Sequence, residues 1–173
     1  SLIRWVSLQA TLKPGVYCSG LKITGANVTF EPGVYHLWGD LHFTSFAGAY
    51  GQDVTFIIKG TDKTLTIDDG AQVSLKAPAD GPTAGLVFWQ VYTDFFSYLF
   101  GRTPEAPDGV TGTSSIASGG GLRLVGTAYF PTQELTITSD RSVKSQSPAT
   151  SFIAYTLQFA GDSYTEVRVD HET

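Results

Sequence analysis

The chain is a succession of short apolar–polar alternations. Leu21-Lys-Ile-Thr24 and Leu41-His-Phe-Thr44 place apolar side chains at every second position, the period of a strand with one buried face. Similar runs follow at Val54-Thr-Phe-Ile-Ile58, Leu65-Thr-Ile67, Val73-Ser-Leu75, Leu86-Val-Phe-Trp89, Leu122-Arg-Leu-Val125, Leu135-Thr-Ile137 and Phe152-Ile-Ala-Tyr-Thr-Leu157. Most are bounded by Gly, Pro, Asn or Asp, the residues that turn a chain. Short strands in this order suit a sandwich, a barrel or a parallel β-helix. An internal repeat favours the last, because Leu12-Lys-Pro-Gly-Val-Tyr17 recurs as Phe30-Glu-Pro-Gly-Val-Tyr35, eighteen residues later. That interval is close to one coil of a solenoid, in which each coil stacks its inward side chains on those of the next. The expected fold is therefore all-β, a short right-handed parallel β-helix with irregular coils. Its structural repeat is Pro14, Gly15, Val16, Tyr17 and Pro32, Gly33, Val34, Tyr35. Val16 and Val34 are expected to form one inward ladder, and Leu21 and Leu41 another, across a two-residue difference in turn length. Pro14 and Pro32 fall at corners before strands, where a missing amide hydrogen costs little.

One stretch breaks the alternation. From Phe88 to Phe100 seven of thirteen residues are aromatic, and Tyr92, Phe95, Phe96 and Leu99 share the spacing of one helical face. A short helix capped by Asp94 and ended by Gly101 is expected there. The segments from Gly101 to Gly121 and from Ser139 to Thr150 are rich in Gly, Pro, Ser and Thr, and are expected to be surface loops.

Composition narrows the function. The chain has 173 residues, 42% hydrophobic and 13% aromatic, enough for one domain with a substantial core. Charged residues make up 16% and the net charge is -5, so nothing attracts nucleic acid or an anionic membrane surface. No apolar run is long enough to span a bilayer. The chain opens on Ser1 and contains no Met, which suggests an excised domain or processed product with its targeting segment elsewhere. The single Cys18 rules out an internal disulfide framework. It is expected as a small buried hydrophobe, with a free thiol pairing with another chain or a neighbouring domain as the alternative.

In combination these motifs resemble the β-helical C-terminal domain of TadG-like proteins of the bacterial tight-adherence (Flp) pilus apparatus. Leu12-Lys-Pro-Gly-Val-Tyr-Cys-Ser-Gly-Leu21 is similar to that family's first coil, Asn27-Val-Thr-Phe-Glu-Pro-Gly-Val-Tyr35 to its second, and Val54-Thr-Phe-Ile-Ile-Lys-Gly60 to its third. Val73-Ser-Leu-Lys-Ala77 continues through Pro78-Ala-Asp-Gly-Pro-Thr-Ala-Gly-Leu-Val-Phe-Trp-Gln90 into a further matching segment. Leu124-Val-Gly-Thr-Ala-Tyr-Phe-Pro131, Leu135-Thr-Ile137 and Ile153-Ala-Tyr-Thr-Leu157 complete the likeness, which covers most of residues 12 to 161. The chain departs from the family at Ala149-Thr-Ser-Phe152, where a second family cysteine is expected, and at the aromatic insert from Tyr92 to Phe100. The resemblance implies that residues 1–173 form the distal, extracytoplasmic part of a longer membrane-anchored protein. Its partners would be other pilus or envelope proteins and surface glycans.

The residues that would carry catalysis are sparse. A lyase or hydrolase on such a fold needs clustered carboxylates along one outer strip, whereas Asp68-Asp69 is the only acidic pair and precedes Gly70. Asp40, Asp53, Asp80 and Asp162 sit beside Gly or at strand edges, where Asp commonly forms turns. His36, His42 and His171 lack metal-ligand spacing. Gly112-Thr-Ser-Ser115 is no nucleophile elbow, and Ser118-Gly-Gly-Gly121 lacks the lysine of a phosphate loop. No catalytic residue, cofactor or metal is expected. The candidate contact patch is the insert itself, Trp89, Tyr92, Phe95, Phe96, Tyr98 and Phe100, acting as a plug for the solenoid or as an exposed binding surface. A structural or adhesive module is the expected function, with a carbohydrate-binding or carbohydrate-active domain as the alternative. A third class, ice or surface binding, rests on Thr64-Leu-Thr66 and Thr136-Ile-Thr138. Only two such strands appear, far apart in sequence, which argues against a flat regular threonine array.

Overall fold

Two-residue alternation buries one side of every short strand only if strands from successive turns lie side by side. In a computed structural model, which describes residues 9–68, 70–92, 99–102, 107–118, 122–139 and 149–160, they do so as a parallel β-solenoid of about 6 turns. The first coil comprises β1 (Gln9–Leu12), β2 (Gly15–Tyr17) and β3 (Leu21–Thr24). The second has β4 (Asn27–Phe30), β5 (Gly33–Leu37) and β6 (Leu41–Thr44). The third has β7 (Gly48–Gly51), β8 (Val54–Lys59) and β9 (Leu65–Ile67), and the fourth β10 (Gln72–Lys76), β11 (Leu86–Val91) and β12 (Thr113–Ser118). β13 (Leu122–Ser139) runs round the fifth coil without a break, and β14 (Ala149–Ala160) forms most of the sixth. All pairings are parallel and make three stacked faces: β1-β4-β7-β10-β13, β2-β5-β8-β11-β13-β14 and β3-β6-β9-β12-β13-β14. Among the described residues no helix is long and apolar enough to cross a membrane.

The core is a set of ladders running along the solenoid axis. On the first face Val28, Ala49 and Val73 stack; on the third, Leu41 on Leu65 and Phe43 on Ile67, all nearly or fully buried. The second face carries an aromatic column. Tyr17 and Tyr35 stack at 6.0 Å, Tyr35 and Phe56 at 5.1 Å, and Phe56 and Phe88 at 5.7 Å, while Phe30 meets Tyr35 and Phe56 edge-on. Offset and edge-on rings of this kind add to the burial each ring already contributes. The Tyr35 hydroxyl lies 2.8 Å from the carbonyl oxygens of Leu12 and Glu31, tying one coil to the next. Burial, helped by the Tyr17 phenol and the Glu31 carboxylate, pushes its pKa up to about 12.

Several expectations are corrected. The ladder partner of Val16 is His36, not Val34; Val16 points outward at 62% exposure and Val34 is half-buried on the outer side. The inward residues of the repeat are Tyr17 and Tyr35, and Val16 stacks on His36 because the pairing offset is twenty residues on this face although the motif repeats at eighteen. The two offsets meet at Pro14, whose ring lies so close over Gly33 that a Cβ there would sit 2.7 Å from it. Leu21 pairs Leu41 as expected. Cys18 is exposed in the turn after β2 rather than buried. The expected loop from Gly101 to Gly121 contains a whole strand, β12, and the two strands expected around Leu122 and Leu135 are one. Most of the helix expected from Asp94 to Gly101, and most of the loop from Ser139 to Thr150, lie outside the described residues.

Candidate contact surfaces

Because the interior alternates with the exterior, every outward residue is also ranked with its equivalents in neighbouring coils, about 4.8 Å apart across the stack. On the third face this assembles hydroxyl groups from distant parts of the chain. Thr66 pairs Ser115, and Ser115 pairs Thr136. In the adjacent rank Thr24 pairs Thr44, their Oγ1 atoms 3.3 Å apart, and Ala117 pairs Thr138. Thr64 and Thr113 precede β9 and open β12 on the same side, with the Thr64 amide and hydroxyl bonded to the Asp40 carboxylate at 2.8 and 3.3 Å. The threonine strands that are far apart in sequence are therefore separated by a single strand, and distance along the chain does not keep them apart in space. Charge stands among these hydroxyls as well as beside them: Lys22, Asp40 and Glu134 lie toward the edges, whereas Asp68, just beyond β9, falls between the strands of Thr44 and Ala117, and its Oδ1 is buried with no hydrogen-bond partner among the described residues.

The second face is apolar on both sides. Its outward rank reads Val16, His36, Ile57, Trp89, Tyr129 and Ile153, and Ile57 is only 8% exposed despite facing out. Lys59 lies 4.8 Å over the Trp38 ring beside this rank. His36 Nδ1 is buried with no hydrogen-bond partner among the described residues. Burial, and then the nearby Lys59 charge, hold the His36 pKa below its usual range. Trp89, the first of the expected patch residues, belongs to this rank and is half-buried. Tyr92 is half-buried just beyond β11, and Phe100 is 66% exposed. Phe95, Phe96 and Tyr98 lie outside the described residues. Phe88, from the same aromatic run, belongs to the core column.

The corner from which that insert leaves carries a feature that alternation does not announce. Gln90, Ser114, Thr132 and Gln133 are buried inside the solenoid. The Ser114 hydroxyl accepts from the Leu65 amide at 3.0 Å and donates to Gln133 Oε1 at 2.7 Å. Gln133 Nε2 donates to the carbonyls of Thr61 and Lys63, and Gln90 Nε2 to that of Gly60. Thr132 donates to Gln90 Oε1, and the Thr111 hydroxyl lies 2.7 Å from the Thr61 carbonyl. The chain leaves the solenoid after Val91, whose carbonyl accepts from the Gly60 amide, and returns at Thr111, whose amide donates to Thr132. A satisfied polar seam thus fixes both roots of the insert.

Expected chemistry falls apart in three dimensions. Asp40 serves Thr64, Asp53 turns the chain with φ 56°, and Asp80 is exposed in a turn. His42 lies outward on β6, opposite Lys22 and Thr66, while Asp69, Asp162 and His171 lie outside the described residues. No group of three His, Cys, Asp or Glu among the described residues is placed to hold a metal ion. On the outer side of the first face, Gln9, Ala10, Thr11, Asn27, Thr29 and Tyr50 line a shallow depression of about 420 Å³. Comparison with protein-family models, curated proteins and solved structures gives no match to this chain.

Proposed function

We propose that this chain is a non-enzymatic structural and adhesive module of a bacterial surface pilus of the tight-adherence type, making protein–protein or surface contacts outside the cytoplasm. The observation that supports this reading best is the third face. Thr24, Thr44, Thr64, Thr66, Thr113, Ser115, Thr136 and Thr138 share one outer sheet surface, five coils long. Short hydroxyl side chains on a regular lattice suit an extended partner, since each adds a donor and acceptor without the entropy cost of ordering a long side chain. The resemblance to TadG-like proteins supplies the pilus context. The test is to compare native cells with strains deleted for this domain or carrying Thr66→Lys with Thr136→Lys. Adhesion should fall in both, and pilus number should fall on deletion. Normal adhesion and normal pilus number in both strains would reject the reading.

A second reading rests on the depression beside Tyr50, which is 43% exposed among Asn27, Thr29 and Gln9. An aromatic face flanked by amide and hydroxyl groups is the chemistry that holds a sugar ring. Titration with oligosaccharides, comparing wild type with Tyr50→Ala, checks it; binding that ignores the substitution removes it.

A further inference from the structure

The last described strand, β14, exposes ladder positions that the inner coils bury. Leu157 continues the ladder of Leu135, and Phe159 that of Ile137. Leu135 is fully buried and Ile137 9% exposed, whereas Leu157 is 39% and Phe159 51% exposed. On the second face Phe152 and Ala154 continue the ladders of Ala128 and Phe130. β14 pairs with β13 alone among the described strands, and its sequence from Ala149 to Ala160 contains no charged residue. Uncharged, apolar edge strands of this length are surfaces that natural proteins cover.

The pattern on β14 specifies what covers it. β14 turns the corner between the second and third faces at Tyr155, where β13 spends Pro131–Gln133. That shift changes the phase of alternation, so the inward residues are Phe152 and Ala154 before the corner and Leu157 and Phe159 after it. They are symmetric about the peptide bond joining Tyr155 to Thr156. A two-fold axis through that corner, perpendicular to the solenoid axis, exchanges the second and third faces and reverses the chain direction. Two copies placed end to end would then pair β14 antiparallel to β14, with Phe152 opposite Phe159, Ala154 opposite Leu157, and outward Ile153 opposite outward Gln158. Interior meets interior at every step, and no charge opposes the approach. A one-residue shift of this register would set inward against outward side chains.

We infer that β14 is a self-complementary interface through which two copies of this chain join end to end as a two-fold dimer. The interface is isologous, as closed dimers require, and it extends the sheet by strand addition. It does not depend on the reading of the hydroxyl face. The test is sedimentation of the chain in reducing buffer, so that the exposed Cys18 cannot link copies. Wild type should sediment at twice the 18.6 kDa of one chain. Leu157→Lys, which sets a charge opposite Ala154 of the other copy, should sediment as a monomer with unchanged circular dichroism. Hydrogen exchange of the β14 amides, followed in dilution, gives a second readout that needs no substitution, and their protection should fall as the dimer dissociates. A dimer that survives Leu157→Lys places the interface elsewhere. A monomer with protected β14 amides shows this end covered by the chain's own remaining residues, and a monomer with exposed amides leaves it to a partner of different sequence. Any of these three results overturns the inference.

Discussion

Replacing Phe56 with alanine removes the centre of the aromatic column. Phe56 is fully buried, with the rings of Phe30, Tyr35 and Phe88 at 4.9, 5.1 and 5.7 Å. Truncating a buried phenylalanine costs about 3–5 kcal/mol, transfer and cavity terms together. The neighbouring rings belong to strands fixed by pairing on both sides, so the cavity cannot collapse, and three ring contacts of about 0.5–1.5 kcal/mol each push the cost to the upper part of that range. A loss of about 4 kcal/mol is a large share of the roughly 5–15 kcal/mol that holds a typical domain together. Urea unfolding followed by circular dichroism should show the midpoint falling by about 2 M at a slope near 2 kcal/mol/M. The matched control is Val16→Asp, which puts a charge at a position 62% exposed and should change stability by less than about 0.5 kcal/mol. A cost for Phe56→Ala below about 2 kcal/mol, or a larger cost for Val16→Asp, would refute the assignment of inward and outward faces.

Ser114→Ala strands the Leu65 amide and Gln133 Oε1 inside the solenoid, so it should cost about 1–3 kcal/mol although only one oxygen is lost; a urea midpoint equal to wild type would show that the seam contributes nothing. Gly20→Ala should cost about 3 kcal/mol, since φ is 75° and a Cβ would lie 2.2 Å from the Asp40 carbonyl oxygen. Gly81→Ala, with φ 86° but open space around it, should cost about 1 kcal/mol, and equal melting shifts for the two variants would remove the steric part of the argument. The depressed pKa of His36 means that the unfolded chain takes up its proton first, near the ordinary imidazole value of about 6.5. Stability from this group is therefore complete above that value and is lost as pH falls toward the folded pKa. Melting temperature should drop from about pH 7.5 to about pH 5 by less in His36→Gln than in wild type, and equal drops would show that carboxylates alone set the acid limb.

The parts of the fold that could be read from the sequence are those where one face is apolar and the other polar. β3, β6, β9 and β10 alternate cleanly, and Leu21 opposite Leu41 follows from them. β8 and β11 were legible as strands but not as faces, because Val54–Lys59 and Leu86–Val91 carry apolar residues on both sides. β7 was missed because two of its four residues are glycine, each where a side chain would collide: a Cβ on Gly48 would meet Asn27 at 2.1 Å, and one on Gly51 would meet Val54 at 3.1 Å. β12 was missed because its inward residues are Ser114 and Ile116, and a buried serine looks like a loop until its partners Leu65 and Gln133 are in place. Val16 and Val34 misled for a related reason. A repeated motif fixes which residues recur, not which stack, and the coil between them closes at a different length on each face.

The same distinction decides the candidate site. In a solenoid, neighbours across the sheet are separated by a full coil of sequence, and insertions at corners change that separation without disturbing the ladder. Thr66 and Ser115 lie forty-nine residues apart because the aromatic insert intervenes, and Ser115 and Thr136 only twenty-one, yet they form one rank. An array of hydroxyls built this way leaves no periodic trace in the chain, so its absence from the one-dimensional pattern says nothing about its presence on the surface. Palindromic order on β14 is legible only once the corner is known, since the phase change at Tyr155 turns an ordinary alternating run into a self-complementary one. Both surfaces arise from register, the third face from ranks across coils and the terminal edge from symmetry within a strand. The polar seam at Gln90, Ser114, Thr132 and Gln133 is what allows them to coexist with a large insert, because it holds the corner to one geometry whatever the chain does outside it.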